Sequence, residues 1–334
     1  MRTDHIIVTE LPKGALSEDN FEMHGTSLRK IGEGELLVRT ILMSIDAANR
    51  AWMQGATYRE AIEVGDPMHT GSLCEVIEST SPRFKAGDIV FAESVWAKHA
   101  IVSDRKVEKM PRVPQLSHLL SVYGIAGKTA FHGLVSVGRP IPGETVVVSA
   151  AAGSVGVYVG QIAKAMGCHV VGIAGGPVKC NWVVDELGFD ACVDYRDPVW
   201  SKALKAACPN GIDIYFDNVG GAVLETVLFR MNERGRIVCC GAVSQYDSNT
   251  PSGPRNLPGM VVVKRLRMEG FIVMDFTKDD AKALRALQSW VASGIIKVQE
   301  DIVVGLENAP AALIGLLNGD NRGKRMVRVG KDPN

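Results

Sequence analysis

Thr145-Val-Val-Val-Ser-Ala-Ala-Ala-Gly-Ser-Val-Gly156 is the stretch around which the rest of the chain is organised. It begins as a short apolar and β-branched run, which is typical of a fully buried strand. It then changes to alanine and glycine, and residues 157–166 continue with the apolar spacing of a helix. The stretch therefore predicts a strand, a tight turn and a helix, in that order.

A strand, a glycine-rich turn and a helix in this order form a binding site for phosphate groups. Glycine lets the backbone approach a pyrophosphate, and the helix N-terminus presents free N–H groups and the positive end of its dipole. In the pattern G-x-G-x-x-G the first glycine is replaced by Ala151, whereas Gly153 and Gly156 remain. Taken alone, this motif also fits a strand-to-helix turn that binds nothing. The pattern of the surrounding chain distinguishes a phosphate-binding turn from a turn without a ligand.

Residues 123–300 continue as an alternation of strands and helices. Strands are predicted at 168–174, 191–195, 211–218, 235–243 and 266–274, and helices at 177–187, 200–207, 222–231 and 278–293. Such an alternation predicts an α/β domain, namely a doubly wound parallel sheet with helices on both faces. It favours the nucleotide-binding interpretation of the glycine turn.

The remainder of the chain is rich in strands. Strands are predicted at 35–44 and 72–78, and residues 84–92 are predicted to form a turn at Gly87-Asp88 followed by a strand. This pattern indicates a small barrel-like β domain. A final strand at 326–329 is expected to rejoin it. We therefore predict that residues 1–122 form the β domain, that residues 301–334 complete it, and that residues 123–300 are inserted as the α/β domain.

Composition excludes several classes of partner. The 37 basic and 37 acidic residues balance, which gives no indication of binding to nucleic acid or to an anionic membrane. No uncharged apolar run reaches the length of about 18 residues that a membrane span needs, and the N-terminus carries no apolar signal segment. The seven cysteines include no C-x-x-C pair. They are predicted to be buried, reduced thiols of a cytoplasmic protein without a structural zinc site.

The turn after the second strand of the α/β domain decides which dinucleotide is preferred. NAD-binding folds usually place an acidic residue there to bind the ribose 2′-hydroxyl. Here the segment has no acid, Gly175 and Gly176 leave room for a 2′-phosphate, and Lys179 can pair with it. Tyr195 can add a hydroxyl donor, whereas the alternative for Lys179 is a solvated charge on the first turn of a helix. NADP is therefore preferred over NAD.

The pattern of polar residues favours hydride transfer without a metal. The sequence has no histidine pair at ligand spacing and no Gly-His-Glu zinc motif, and Ser149 does not lie in G-x-S-x-G. Reduction of a C=C bond conjugated to a carbonyl requires a hydrogen-bond donor for the enolate and a proton for the α carbon. Donor candidates are Tyr246, Tyr58, Asn49 and Arg50. Tyr246 is preferred because its loop follows the fifth strand, although it also fits a tyrosine that only packs on the cofactor or its loop.

At this point the motifs match a family. The chain resembles the zinc-independent medium-chain dehydrogenase/reductases, in the group of prostaglandin reductases, plant double-bond (2-alkenal) reductases and curcumin reductases. The similarity covers nearly the whole chain. It rests on Gly127-Lys-Thr-Ala-Phe-His-Gly133, Ala150-Ala-Ala-Gly-Ser-Val-Gly156, Gly160-Gln-Ile-Ala-Lys164, Val171-Gly-Ile-Ala-Gly175, Phe216-Asp-Asn-Val-Gly-Gly221, Gly241-Ala-Val-Ser-Gln-Tyr246, Arg267-Met-Glu-Gly-Phe271 and Gly319-Asp-Asn-Arg-Gly-Lys324.

The resemblance implies a GroES-like β-barrel domain, a Rossmann domain that binds NADPH, and a homodimer that pairs through the Rossmann domains. It also implies a set of cofactor contacts. These are Gly153, Ser154, Val155 and Gly156 at the pyrophosphate, Gly175, Lys179 and Tyr195 around the 2′-phosphate, Asn218, Cys240, Gly241, Ala242 and Tyr246 along the cofactor, and Phe271, Ile272, Val273 and Asn321 near the nicotinamide.

Two segments depart from the family pattern. Members usually carry a segment like Val-Asp-Pro-Tyr-Met-Arg, whereas this chain has Ile45-Asp-Ala-Ala-Asn-Arg50. Many members also place a tyrosine shortly before the Arg-Met-Glu stretch, where this chain has Val261-Val-Val263. Two aromatic hydroxyls are thus missing from the predicted substrate pocket. Either Tyr246, the cofactor ribose or water supplies the proton, or the substrate differs from a simple enone.

The sequence therefore predicts an NADPH-dependent reductase of the C=C bond in α,β-unsaturated carbonyl compounds. Its predicted catalytic residue is Tyr246, and Asn49, Arg50 and Tyr58 are predicted to bind the small carbonyl substrate. Reduction of a C=O group in a ketone or quinone on the same scaffold is the alternative within enzymes. A non-catalytic NADPH-binding protein is the alternative of another class.

Overall fold

The computed structural model describes residues 1–57, 59–247 and 253–333. The chain divides into two compact units. The first unit comprises Met1–Leu120, Glu300–Asp320 and the chain from Arg325 onward, and the second comprises Ser121–Gln299 and Asn321–Lys324. The described part of the chain contains no helix with both the length and the apolar character needed to cross a membrane.

The strands and helices of the described residues are numbered in chain order. The strands are β1 (Arg2–Val8), β2 (Phe21–Ser27), β3 (Glu35–Ser44), β4 (His69–Ser79), β5 (Ile89–Val95), β6 (His99–Ser103), β7 (Val107–Lys109), β8 (Thr145–Ser149), β9 (His169–Ala174), β10 (Ala191–Asp194), β11 (Ile212–Asp217), β12 (Met231–Cys239), β13 (Arg267–Gly270), β14 (Glu300–Val304) and β15 (Lys324–Arg328). The helices are α1 (Ala48–Trp52), α2 (Ile125–Phe131), α3 (Gly156–Ala165), α4 (Pro177–Leu187), α5 (Trp200–Ala207), α6 (Gly221–Leu228), α7 (Leu257–Lys264), α8 (Asp280–Ala292) and α9 (Ala309–Leu317).

The first unit is built on a sheet with the strand order β14-β15-β3-β4-β5-β7. The strand β6 pairs with residues 35–39 of β3, whereas β15 pairs with residues 42–44 of β3. β3 is antiparallel to β15, β4 and β6. Alternate side chains of its strands point into a small apolar core, which contains Leu36, Val38, Val76 and Val90. The predicted β domain is confirmed, and the late strand β15 joins it as expected.

The second unit contains a sheet with the strand order β10-β9-β8-β11-β12-β13, and each of its neighbouring strands is parallel. From one edge of the sheet to its centre the strands follow in reverse chain order, as β10, β9 and β8, and from there to the other edge they follow in chain order, as β11, β12 and β13. This is the strand order of a doubly wound dinucleotide-binding fold. Alternate residues of β8 serve opposite faces. Val146 and Val148 belong to the apolar cluster that contains Ile162 of α3, and Val147 belongs to the cluster that contains Leu204 of α5. The predicted parallel sheet with helices on both faces is confirmed.

Local signals explain why several helix bounds agree with the sequence. α4 begins with Pro177, whose missing N–H costs nothing at the first helical position. It ends before Gly188, which adopts φ 72° and terminates the helix in the left-handed conformation. The helix in the structure therefore has the bounds 177–187 that the sequence predicts.

Several predicted bounds differ from the structure. β13 ends at Gly270 rather than at residue 274, and α6 ends at Leu228 rather than at residue 231. The segment Asn321–Lys324 belongs to the second unit, although the whole of residues 301–334 was expected in the β domain. The Gly323 N–H donates to the carbonyl of Ala152 over 2.9 Å, which fastens the segment to the glycine turn. Sequence periodicity cannot reveal this contact because it joins residues far apart in the chain.

Candidate functional site

One edge of the parallel sheet carries most of the predicted cofactor residues. Each strand of the second unit is followed immediately by a residue of the candidate site or its turn, in the order Ala150, Gly175, Tyr195, Asn218, Cys240 and Phe271. Because the strands are parallel, their carboxyl ends meet at the same edge. Open α/β sheets bind their ligands at that edge, where the strand order reverses.

The glycine turn has no room for a side chain at Gly156. The Gly153 N–H donates to the carbonyl of Ala150 over 2.8 Å, and Ala150 itself has φ 49°, which is uncommon for alanine. A Cβ added at Gly156 would lie 2.2 Å from the Ala150 oxygen, whereas one added at Gly153 would lie 3.1 Å from it. Gly156 is therefore required for the turn that starts α3 and exposes its N-terminal N–H groups.

The point where the strand order reverses lies between β8 and β11, and Asn218 joins the two strands there. Its backbone N–H donates to Ser149 Oγ over 2.9 Å, and its Nδ2 donates to the Ser149 carbonyl over 2.7 Å. The preceding residue, Asp217, accepts bonds from Tyr215 Oη and the Gly220 N–H, each over 2.8 Å. Burial raises the pKa of the Asp217 carboxyl. These bonds fix the loop after β11 before any ligand arrives.

Gly175, Lys179 and Tyr195 occupy neighbouring positions at the start of α4. A Cβ at Gly175 would lie 3.1 Å from the Tyr195 ring and 3.2 Å from its hydroxyl oxygen. Lys179 Nζ donates to the carbonyl of Asn321 over 2.6 Å, and Asn321 Nδ2 donates to the Gly323 carbonyl over 2.8 Å. The structure thus brings Lys179 and Asn321 together within the second unit.

Two residues beside this group were missed by the sequence analysis. Arg196 Nε lies 3.1 Å from the position of a Cβ at Gly175, and its guanidinium carbon lies 5.9 Å from the centre of the Tyr195 ring. Asp194 Oδ1 accepts the N–H groups of Gly176 over 2.8 Å and Arg196 over 2.9 Å. A dinucleotide fold is expected to carry its acid in the turn after the second strand, and neither residue lies in that turn. The end of the third strand lies beside that turn, since Asp194 pairs with Ala174 in the sheet.

The loop after β12 places Tyr246 beside Asn218. A Cβ at Gly241 would lie 3.2 Å from the Asn218 carbonyl oxygen and 3.8 Å from Tyr246 Oη. Burial raises the pKa of the Tyr246 phenol, although a hydrogen bond with the Ala242 backbone opposes the shift. Tyr246 is therefore a neutral hydroxyl donor at neutral pH. Burial also raises the pKa of the Cys240 thiol to about 12, which keeps that group protonated.

Phe271, Ile272 and Val273 follow the end of β13. The Phe271 ring makes edge-to-face contacts with Phe216 and Phe276, with centroids 6.3 and 6.2 Å apart. Ile272 is exposed and Val273 is half-buried. The Phe271 ring is thus occupied by its packing contacts, and the backbone of this segment and the side chains of Ile272 and Val273 are left to line a ligand.

The predicted substrate residues Asn49 and Arg50 lie in the first unit and are 1% and 2% exposed. Asn49 Oδ1 accepts the Asp46 N–H and its Nδ2 donates to the His69 carbonyl, each over 2.8 Å, while Arg50 Nη2 donates to the Gly14 carbonyl over 2.9 Å. Both side chains thus hold together the loop that contains them. Their contribution to substrate binding stays a prediction, and Tyr58 lies outside the described residues.

No three His, Cys, Asp or Glu side chains in the described ranges come together in a way that would hold a metal ion. Burial raises the pKa of the Cys239 thiol to about 11, so this neighbour of the Tyr246 loop is also neutral. Asp194 and Asp217 at the carboxyl edge accept bonds from neighbouring protein groups, and the edge also offers hydroxyl, amide and cationic groups. The latter are suited to binding phosphates and to donating hydrogen bonds.

The chain is similar to known proteins along its whole length. A family model described as the N-terminal domain of oxidoreductase matches residues 4–110, and one described as zinc-binding dehydrogenase matches residues 154–289. The NADPH-dependent curcumin reductase of Escherichia coli (strain K12) is 40% identical over 333 residues, which cover 98% of this chain and 96% of that protein. Prostaglandin reductase 1 of Rattus norvegicus is 40% identical over 324 residues, which cover 95% and 96%. The crystal structure of CurA in complex with NADPH from Vibrio vulnificus has a TM-score of 0.94 at 38% identity and covers 98% and 100%.

Proposed function

The chain belongs to the medium-chain dehydrogenase/reductase family, in the group of curcumin and prostaglandin reductases, and from this we propose that it reduces the C=C bond of α,β-unsaturated carbonyl compounds with NADPH. The observation that carries the proposal is the convergence of the glycine turn, Asn218 and Tyr246 at the carboxyl edge of the sheet. This edge offers a phosphate-binding turn together with a neutral hydroxyl donor. Both features are what a hydride-transferring reductase of conjugated carbonyls needs.

The residues of the second unit fit NADPH. The turn at Gly156 has no room for a side chain, which leaves its backbone open to a pyrophosphate. Tyr195 and Arg196 lie against Gly175, and Lys179 lies four residues further along on α4. Together they supply two cations and a hydroxyl for the 2′-phosphate. The remaining residues proposed to contact the cofactor are Gly153, Ser154, Val155, Asn218, Cys240, Gly241, Ala242, Phe271, Ile272, Val273 and Asn321.

Tyr246 is proposed to serve the substrate carbonyl. NADPH held by these residues would supply a hydride to the carbon β to the carbonyl. Negative charge then develops on the carbonyl oxygen, and a donor placed there stabilises it. The raised pKa of Tyr246 keeps its proton available for this bond and for later transfer to the α carbon.

Replacement of Tyr246 by Phe tests this role. We expect kcat to fall by about 10- to 100-fold while the KM for NADPH changes by less than about twofold, because the hydroxyl acts mainly in the transition state. The phenol donates only when it is protonated, and its pKa lies above about 10. The wild type should therefore lose activity as the pH rises through that raised pKa, and the variant should lack this loss.

The readout for Tyr246→Phe is the pH profile of kcat with NADPH and with NADPH deuterated at the transferred position. An isotope effect shows that chemistry limits the rate. An unchanged kcat under that condition would remove Tyr246 from catalysis and leave the cofactor ribose or water as the proton source.

Reduction of a ketone or quinone C=O on the same scaffold is the second candidate. It is favoured by the valines at 261–263 and by the segment 45–50, which both depart from the pattern of the family that the chain resembles. The deciding experiment supplies NADPH with an aryl enone, its saturated ketone and a quinone, and identifies the products by mass and NMR. Saturated ketone without alcohol supports C=C reduction, whereas alcohol, or activity on the quinone alone, supports the second candidate. Tight NADPH binding without turnover of any substrate would indicate a non-catalytic protein.

We also propose a homodimer that pairs through the outer edge of the parallel sheet. β13 is an edge strand of the described sheet, and unpaired edges are avoided in monomers. Met268 on β13 is 37% exposed, and Val262 and Val263 on the preceding helix are 72% and 66% exposed. Together they form an apolar surface next to a free strand edge, which suits a second copy of the chain.

Replacement of Val263 by Glu is expected to shift the protein from dimer to monomer, because it places a charge in the proposed apolar contact. Light scattering after size-exclusion chromatography measures the mass. Val199→Glu is the control, since Val199 is also exposed but lies beside α5 rather than near β13. A wild-type protein that is monomeric at micromolar concentration contradicts the proposal.

The proposed compartment is the reducing cytoplasm. All seven cysteines are free thiols, and four of them are buried. Unpaired cysteines in this number are typical of proteins kept under reducing conditions.

A further inference from the structure

Cys180 and Cys192 form a close pair of thiols that the proposed mechanism does not use. Cys180 lies on the first turns of α4, and Cys192 lies on β10. The Cys192 thiol donates to Cys180 Sγ over 3.1 Å. A disulfide has an S–S length of about 2.05 Å, so the two sulfur atoms need to approach by only about 1 Å.

The packing around Cys192 holds its sulfur on the side of α4. A Cβ added at Gly172 on the adjacent strand would lie 3.1 Å from Cys192 Sγ and 3.3 Å from the Phe189 ring. Cys180 is 6% exposed, and Cys192 is half-buried. The protein core therefore holds the two sulfur atoms side by side.

The pKa values of the two thiols are shifted in opposite directions, which favours oxidation at Cys180. The hydrogen bond from Cys192 lowers the pKa of Cys180 and raises that of Cys192. Cys180 also lies near the N-terminus of α4, where the positive end of the helix dipole stabilises a thiolate. Cys180 is thus the nucleophile, and Cys192 is the resolving thiol.

We propose that Cys180 and Cys192 are a reversible redox site, at which a hydroperoxide forms a disulfide that joins α4 to β10 and weakens NADPH binding. The Cys180 thiolate attacks the peroxide, the O–O bond breaks, and the peroxide leaves as an alcohol, or as water from hydrogen peroxide. The Cys192 sulfur then displaces hydroxide from the Cys180 sulfenic acid, which forms the S–S bond and releases water. Two thiols lose two electrons and two protons, and one peroxide is reduced.

The disulfide would act on the cofactor through its immediate neighbours. Lys179 precedes Cys180, and Tyr195 follows three residues after Cys192, so the bond joins the two elements that carry the proposed 2′-phosphate ligands. Tyr195 already lies in tight contact with Gly175. A shift of about 1 Å in this packing misplaces charged hydrogen bonds, and we expect an NADPH Kd about fivefold higher in the oxidised protein. This effect rests on the proposed NADPH binding, whereas disulfide formation does not.

The test treats the intact protein with hydrogen peroxide at about one equivalent and blocks the remaining thiols with iodoacetamide after denaturation. We expect a mass loss of two hydrogens, two fewer alkylated cysteines and a linked peptide that contains Cys180 and Cys192. Dithiothreitol should reverse all three. Cys180→Ser and Cys192→Ser should each abolish the linkage and keep NADPH affinity and activity unchanged before oxidation.

NADPH and NADH binding to the reduced and oxidised proteins is then measured by calorimetry. A fivefold loss for NADPH, reversed by dithiothreitol and absent from both Ser variants, supports the proposal. Absence of the linked peptide, or linkage of another cysteine pair, overturns the redox site. Linkage with unchanged NADPH affinity overturns its effect on the cofactor. If the proposed function itself is wrong, the reduced protein fails to bind NADPH, and the peptide analysis still reports on the disulfide.

Discussion

Lys179→Ala is expected to raise the KM for NADPH by about 10- to 100-fold and to leave the KM for NADH unchanged. A hydrogen bond between a cation and a phosphate contributes about 1.5–3 kcal/mol, which corresponds to this change in affinity. NADH lacks the 2′-phosphate, so its KM does not depend on this hydrogen bond. Lys179 also donates to the Asn321 carbonyl, and the variant therefore loses one contact within the second unit as well. The ratio of the two KM values separates the phosphate contact from a general structural effect.

Steady-state kinetics with both cofactors provide the measurement. Lys202→Ala is the control, because Lys202 is an exposed lysine on the next helix and is not part of the site. Lys179→Arg should recover part of the NADPH preference, since arginine keeps the charge but presents it on a larger, planar group. Equal changes for NADPH and NADH in Lys179→Ala would show that the 2′-phosphate is bound elsewhere, with Arg196 as the next candidate.

Gly156→Ala is expected to abolish measurable NADPH binding and to lower the free energy of unfolding by about 2–4 kcal/mol. The added methyl group would lie 2.2 Å from the Ala150 oxygen, and that oxygen belongs to a turn that already has a strained residue. The turn must open, and the N–H groups of α3 then no longer converge on a phosphate. Urea unfolding and calorimetry with NADPH measure the two effects.

Two matched glycines control this experiment. Gly153→Ala places its Cβ 3.1 Å from the same oxygen and should cost less in both measurements. Gly14→Ala meets no atom within 4 Å and should change neither. If Gly156→Ala bound NADPH with wild-type affinity, the pyrophosphate would not lie on this turn.

The fold was predictable because its signals are local. The β-branched run at 145–149, the proline at 177 and the glycine at 188 each act on their own segment, and repetition of such segments indicates a parallel sheet. The positions of Gly175, Asn218 and Cys240 also follow from this logic. A residue that comes directly after a strand of a parallel sheet lies at the carboxyl edge, whatever its partners are.

The remaining parts of the site depend on contacts between distant residues. Arg196 and Asp194 join the turn at Gly175 only because β10 lies next to β9 in the sheet. The buried bonds of Asn49 and Arg50 involve Gly14 and His69, which no spacing rule connects to them. The pKa of Tyr246 likewise depends on its burial in the folded protein. Sequence patterns identify the residue types, but tertiary packing decides which of them stay available for chemistry.

The first unit cannot finish folding when its first segment leaves the ribosome. β15 pairs with Leu42, Met43 and Ser44 of β3, yet it is synthesised about 200 residues after the first 120. At translation rates of about 5–20 residues per second, roughly 10–40 s pass between the synthesis of the first 120 residues and that of β15. The open strand edge and the apolar residues beside it are exposed to other nascent chains during this interval. Aggregation during synthesis, rather than instability of the finished protein, is thus the risk that this chain order creates.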